Sequence, residues 1–316
     1  MVSKPKPRFI LRILEKPDEM IAVEDLQRVV WPGTETDVIP LHFLVTTAHN
    51  GGVVIGAYVE PQESREGSET ASDAYDRLIG FVFGFPGLYF TPDGPRPKHC
   101  SHELGVHPDF RRQGVAFALK RAQWQMVRHQ GLDLITWTYD PLLSQNALLN
   151  IARLGAVCCN YQREVYGQMR DGLNAGLPSD RFQVDWWINS QRVQRRLSRR
   201  PRRPLDLAHF LSAGAEIINP TRVGSHGFAL PAREIQLPHV KGGEQGRSEA
   251  LLLVEIPSDF QSLRAVEPAL ALEWRLHSRS IFEDLFSQGY MVVDIVHLPG
   301  TFSRSFYLLS HGDNTL

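Results

Sequence analysis

The chain predicts an α/β protein built on a mixed sheet, and three observations carry that prediction. Short runs of β-formers alternate with stretches whose apolar residues recur at helical spacing. Around residues 104–116 a strand passes through a tight turn directly into a helix. Beyond an arginine-rich run at 191–204, a further set of strand and helix patterns begins.

Residues 9–14 alternate and read as a strand, and residues 20–31 read as a helix stopped by Pro32. Residues 43–47 and 53–59 read as strands around Asn50-Gly51-Gly52, a hairpin-turn signature. The polar, acidic stretch 61–76 reads as a loop. Strands follow at 78–85 and 101–106, then a helix at 111–130 ended by Gly131. Residues 134–139 form a strand broken by Pro141, residues 142–154 a helix stopped by Gly155, and 157–166 and 182–188 two strands. After the arginine run, strands are expected at 251–256, 291–296 and 305–309 and a helix at 268–286. This divides the chain into a domain at 1–190, an Arg-rich linker at 191–204 and a smaller α+β C-terminal domain at 205–316.

Composition narrows the function classes. The 316 residues are 42% hydrophobic and 22% charged, with a net charge of -1. That is ordinary globular composition without a global pull toward nucleic acid or membrane. Cys100, Cys158 and Cys159 make no CxxC spacing, which fits a reducing compartment. The basic start lacks the apolar run of a signal peptide, and no stretch suits a membrane span, so a cytoplasmic protein is expected. Arg192, Arg195, Arg196, Arg199, Arg200, Arg202 and Arg203 lie without an intervening acid or aromatic. They are read as a linker helix pairing with acids elsewhere rather than a nucleic-acid patch. The glycine-rich 241–248 lacks the Lys-[Ser/Thr] ending of a phosphate-binding P-loop.

The informative stretch is His102-Glu103-Leu104-Gly105-Val106-His107-Pro108-Asp109-Phe110-Arg111-Arg112-Gln113-Gly114-Val115-Ala116. The first turn of a helix offers unpaired N–H groups and a positive dipole end. Small residues at Gly114 and Ala116 let an anion approach that backbone, which suits a diphosphate. Arg111, Gly114 and Ala116, after Leu104, Val106 and Pro108, resemble motif A of the GNAT acyltransferase superfamily. The resemblance extends over roughly residues 8–190. It is strongest with a poorly characterised subgroup carrying Ser101-His102, Trp137-Thr138-Tyr139-Asp140-Pro141-Leu142, Asn146-Ala147 with Asn150, and the segment from Leu177 through Asp180-Arg181-Phe182 to Trp186.

The resemblance implies a GNAT fold with splayed central parallel strands and an acyl-CoA-dependent N-acyltransferase. The backbone of Arg112, Gln113, Gly114, Val115 and Ala116, with Arg111, is expected to hold the coenzyme A diphosphate. Leu104 and Val106 are expected to pair with the pantetheine arm. An acetyl or another short acyl group, succinyl among the options, would pass from acyl-CoA directly to a small amine such as an amino acid. No metal and no covalent acyl-enzyme are expected. In one respect the chain departs from the family: the usual general-acid tyrosine position is occupied by Ile151, leaving Tyr139, Tyr161 and Tyr166 as substitutes or an unaided thiolate.

An amine nucleophile must lose a proton, so a base is needed. His102 is the first candidate and Glu103 the second. Strand alternation sends these neighbours to opposite faces unless a bulge intervenes. Asp140, at a strand end, is a third candidate or a simple Asp-Pro turn. Asn146 and Asn150, four apart, are read as pantetheine contacts or helix packing. Arg181 is read as reaching an acceptor carboxylate, or pairing with Asp180 or Asp185. Arg275 and Arg279 share a helix face and suit a carboxylate clamp, or ion pairs with Glu267, Glu273 or Glu283. In that helix Leu272, Leu276 and Ile281 are taken as the packing face. His99, Cys100 and His102 are not read as metal ligands, because alternating positions diverge. A homodimer is compatible with the sequence. The alternative reading is a degenerate acyl-CoA-binding module whose C-terminal domain binds a partner.

Overall fold

The computed structural model describes residues 8–59, 77–167, 176–198, 205–224, 226–235 and 251–311. The expected loops at 61–76 and 241–248, and the arginines from 199 to 203, lie outside the described residues. Contacts divide the chain into two units that meet within a strand, the first ending at Thr136 and the second beginning at Trp137. The division therefore does not fall at 191–204, and residues beyond 204 share a unit with residues 137–167.

The first unit contains β1 (Phe9–Ile13), α1 (Pro17–Val30), α2 (Leu41–His49), β2 (Val53–Val59), β3 (Leu78–Thr91), β4 (Gly94–Val106), α3 (Val115–His129) and the start of β5 (Leu134–Tyr139). The strands lie in sequence order, antiparallel up to β4 and parallel between β4 and β5. Pro17 begins α1, whose early Asp18 and Glu19 complement the helix dipole. Met20, Val23, Leu26 and Val30 recur at helical spacing and are buried with Leu44 of α2 and with Phe81 and Phe83 of β3. Each such side chain contributes about 1.5–3 kcal/mol on burial.

The strand expected at 43–47 is the helix α2, which corrects the hairpin reading of Asn50-Gly51-Gly52. Those residues end the helix instead. Asn50 Nδ2 donates to Thr46 O at 2.7 Å, and Gly52 N to Thr47 O at 2.8 Å. Gly51 takes the left-handed φ of +83°, and a Cβ on Gly52 would lie 2.3 Å from Thr47 Cγ2. The glycines thus close a helix C-terminus by the same conformational freedom that a hairpin would use.

The second unit continues through α4 (Ser144–Ala147), β6 (Val157–Gln162), β7 (Arg181–Trp187), α5 (Gln191–Leu197), α6 (Leu207–Ser212), β8 (Glu216–Ile217), β9 (Arg222–Val223), β10 (Ala229–Leu230), β11 (Leu252–Ile256), α7 (Phe260–Val266), α8 (Pro268–Ser287), β12 (Tyr290–Leu298) and β13 (Arg304–His311). Its strand order is β5-β7-β6-β12-β13-β11-β8, and β12 meets β6 at Val292–Cys158. The core is aromatic: Phe182 packs edge-on to Phe282 at 4.7 Å and to Tyr307 at 5.5 Å. Trp186 is fully buried and donates to Leu154 O at 2.8 Å.

The helix expected at 142–154 is α4 followed by a π-helical turn at Leu148–Arg153. Arginines of α5 satisfy the carbonyls left at its end, as basic groups do at helix C-termini. Arg192 donates to Gly155 O at 2.9 Å and to Val293 O, and Arg196 donates to Ala152 O at 2.6 Å. Arg196 also pairs with Asp294 at 2.7 Å. This part of the arginine run is a helix bonded within the second unit. Among the described residues no helix is long and apolar enough to cross a membrane.

Candidate functional site

The central feature of β4 is a bulge. Gly84 opposes Ser101 and Phe83 opposes Glu103, leaving His102 as the extra residue. Cross-strand partners share a face. A Cβ on Gly84 would meet His99 and Gln123, which places Ser101 on the α3 face. Phe83 and its partner Glu103 lie on the α1–α2 face. The His102 ring is on that face too, 6.0 Å from Phe83 and 5.8 Å from Phe85. The bulge therefore brings together two side chains that regular alternation would separate.

Glu103 is half-buried, and its Oε2 is buried with no hydrogen-bond partner among the described residues. Burial pushes its carboxyl up to about 8. Partial burial lowers the imidazole of His102, so it stays neutral near pH 7. Beneath the other face, Lys120 Nζ donates to Ser101 Oγ and to Gln123 Oε1, each at 2.9 Å. Burial holds Lys120 well below the ordinary ammonium range. Gln123 Nε2 lies 3.1 Å from His99 Nε2. Burial, then the neighbouring Lys120, lower His99 to about 3. Among the described residues no group of three or more His, Cys, Asp or Glu side chains is placed to hold a metal ion.

The turn after Val106 is built from its own side chains. Arg111 Nε donates to Val106 O at 3.3 Å, and Gln113 Nε2 to Asp109 O at 2.8 Å. Arg112 takes φ +63° and Gly114 φ +92°. The left-handed Arg112 stores about 1–3 kcal/mol, a cost expected where backbone geometry serves a site. Nothing lies within 4 Å of a Cβ built on Gly114, so its positive φ, not crowding, demands glycine. Gly114 caps α3 without a side-chain bond to the first-turn N–H groups. These N–H groups and the dipole of a 15-residue helix suit an anion. Arg77 joins the turn: its Nη2 lies 3.3 Å from His107 Nε2, and its guanidinium stacks 5.5 Å from Phe110. Sequence reading missed Arg77, which no motif marks.

The remaining candidates belong to the second unit. Asp140 is buried and chelated by Arg275, with Nη1 at 2.9 Å and Nη2 at 2.5 Å. Its Oδ1 also accepts from Leu142 N at 2.9 Å. Arg279 grips Asp180 with two bonds of 2.8 Å, and Tyr161 Oη donates to Asp180 at 2.7 Å. Burial would raise the Asp180 carboxyl, but hydrogen bonds from Arg279 and Tyr161 outweigh it and lower the pKa. Arg275 and Arg279 therefore clamp this chain's own Asp140 and Asp180, not Glu267, Glu273 or Glu283.

The packing face of α8 also differs from the expected one. Leu272 and Leu276 are exposed, while Trp274, Arg275, Ser278, Ile281 and Phe282 are buried. Arg181 is buried, donates to Asp180 O at 2.9 Å, and lies over the Tyr166 ring. Asn146 is exposed and Asn150 buried, because the π turn breaks the four-residue register that would align them. Ile151 is fully buried. Of the substitute tyrosines, Tyr139 is buried and Tyr161 half-buried, whereas Tyr166 is exposed and bonded to Thr138 Oγ1 at 2.7 Å.

The elements from β1 to β7 run β-α-α-β-β-β-α-β-α-β-β, and the parallel β4–β5 ladder spans only His99–Ile135 and Cys100–Thr136. With the tight turn that leads into α3, that order is the one expected of a GNAT fold. Several solved structures are similar at low identity. Arabidopsis thaliana NAA60 in complex with a bisubstrate analogue is 17% identical, with a TM-score of 0.42 over 58% of this chain and 100% of that chain. A putative GNAT-family acetyltransferase from Desulfovibrio desulfuricans is 17% identical, with a TM-score of 0.40 over 57% and 99%. The ribosomal-protein-S18-alanine N-acetyltransferase from Escherichia coli is 13% identical, with a TM-score of 0.40 over 58% and 96%. No family model matches the chain, and no curated protein does.

Proposed function

We propose that the chain is an acyl-CoA-dependent N-acyltransferase that passes an acetyl or other short acyl group directly to an amine. The observation that carries this reading is the bulge at His102, which sets an unpartnered Glu103 carboxyl on the strand leading into the anion-binding turn. The N–H groups of Arg112 to Ala116 hold the diphosphate, with Arg77 and Arg111 adding charge. The backbone of Leu104 and Val106 pairs with the pantetheine arm. Glu103 takes the proton from the ammonium of the acceptor. The freed lone pair attacks the thioester carbonyl, the C–N bond forms and the C–S bond breaks; the coenzyme leaves as thiolate, and the second proton of the nitrogen passes to that sulfur, giving the thiol. His102, neutral and beside Glu103, lines the path of the amine. Asp140, Arg275 and Arg279 are assigned to holding the second unit together.

The buried Ile151 favours the second reading, a binding module without turnover, because it leaves the family's acid position empty of a proton donor. Two measurements separate the readings and test the turn. Ala116→Glu places a carboxylate in the first turn of α3, where the dipole favours it. The variant is expected to fold, with a thermal melt as control, and to bind CoA about a hundredfold or more weakly, since charge-assisted hydrogen bonds are worth about 1.5–3 kcal/mol each. It avoids the backbone strain that a side chain at Gly114 would add. Unchanged CoA affinity by calorimetry refutes the turn assignment. Tight CoA binding without amine-dependent thiol release by the wild type supports the module instead.

A further inference from the structure

The face that presents Glu103 also carries information about the acceptor. Phe43 of α2 is 46% exposed although its ring lies edge-on to Phe83 at 6.1 Å. Phe83 in turn contacts Phe85, at 6.1 Å, and His102. Phe83 is itself fully buried and links three rings that keep exposed area, Phe43, Phe85 and His102, the last next to Glu103 in the chain. Such a surface binds apolar or aromatic groups and attracts ammonium through the ring faces.

Charge on the same side points the same way. The segment from α1 to α2, residues 17–49, holds Asp18, Glu19, Glu24, Asp25, Glu35 and Asp37 against a single cation of the Lys/Arg type, Arg28. Arg28 is committed to Glu35 at 3.0 Å, Asp25 at 2.8 Å and Glu24 at 3.8 Å. Arg275 and Arg279, which the sequence suggests as a carboxylate clamp, are held by Asp140 and Asp180. Among the described residues of this segment the net charge is negative and its one guanidinium is already engaged, so an acceptor's carboxylate would find no guanidinium fork in it.

Resting on the acyltransferase reading, we propose that the acceptor is an aralkyl or apolar primary amine lacking a carboxylate, seated on Phe43 and Phe85 with its nitrogen toward Glu103. This replaces the amino-acid acceptor that the sequence suggests.

The test uses the full chain and acetyl-CoA, with thiol release as the signal. 2-Phenylethylamine, L-phenylalanine and L-glutamate serve as acceptors. The first two share a ring and differ by a carboxylate. The expected result is a kcat/KM for 2-phenylethylamine about tenfold or more above that for L-phenylalanine, with L-glutamate lower still. Phe43→Ala is expected to raise KM for 2-phenylethylamine about tenfold and to leave CoA affinity by calorimetry unchanged. Equal or better use of L-phenylalanine or L-glutamate overturns the acceptor class while leaving the acyltransferase reading intact. So does an unaltered KM in a folded Phe43→Ala variant. Absence of thiol release with all three amines, despite CoA binding, overturns both.

Discussion

Arg275→Ala is expected to destabilise the protein by about 3–5 kcal/mol, the cost of stranding a buried carboxylate whose partner is removed. Both members of the pair are inside, with side-chain exposures of 2% for Arg275 and 9% for Asp140. Asp140 also fixes Leu142 N, and Tyr307 Oη donates to Pro141 O at 2.8 Å, so the loss reaches the turn that starts α4. Urea unfolding checks the value. The double variant Asp140→Leu with Arg275→Met is expected to recover most of it, because apolar groups of similar volume leave no stranded charge. If Arg275→Ala unfolds within about 1 kcal/mol of wild type, the pair is not the anchor that its geometry indicates.

Glu103→Gln carries the largest expected effect on turnover, a loss of about 10²- to 10⁴-fold with CoA affinity unchanged. In the wild type, kcat/KM is expected to rise with pH through about 8, as the carboxyl ionises into a base. The variant should lose that limb. Stability moves in the opposite sense. The folded state holds this proton more tightly than the unfolded chain does, so wild-type stability falls as pH rises from about 4.5 to about 8 and levels off above it. Glu103→Gln should therefore gain stability relative to wild type most clearly above pH 8, while being the poorer enzyme. A pH–rate profile and turnover like the wild type would exclude Glu103, and the same experiment on His102→Ala then decides for or against the imidazole.

Legibility in the sequence followed the range of the interactions. The turn from Arg111 to Ala116 was readable because it is local: left-handed positions and an uncapped helix start are written in adjacent residues. The strands of both units were readable from β-former runs for the same reason. Residues 41–49 misled because a short apolar run before Asn-Gly-Gly is compatible with either a hairpin or a capped helix. The face of α8 misled because Arg275 turns inward, which only a carboxylate 135 residues away makes tolerable. Asp140 looked like a candidate base for the same reason: its partner lies far along the chain. The π turn at 148–153 left no sequence mark, and it set apart Asn146 and Asn150.

The extra residue in β4 has a consequence for descent. Removing His102 would leave Ser101 opposite Gly84 and Glu103 opposite Phe83, so the antiparallel ladder with β3 would close and no other side chain would change sides. The surplus side chain beside Glu103 is therefore one that a single-residue deletion would remove, with every other residue keeping its face. Related chains that keep the scaffold but lack this arrangement are best recognised by a one-residue gap at position 102. Scoring identities at aligned positions would miss that mark, since the scaffold on either side of the gap stays the same.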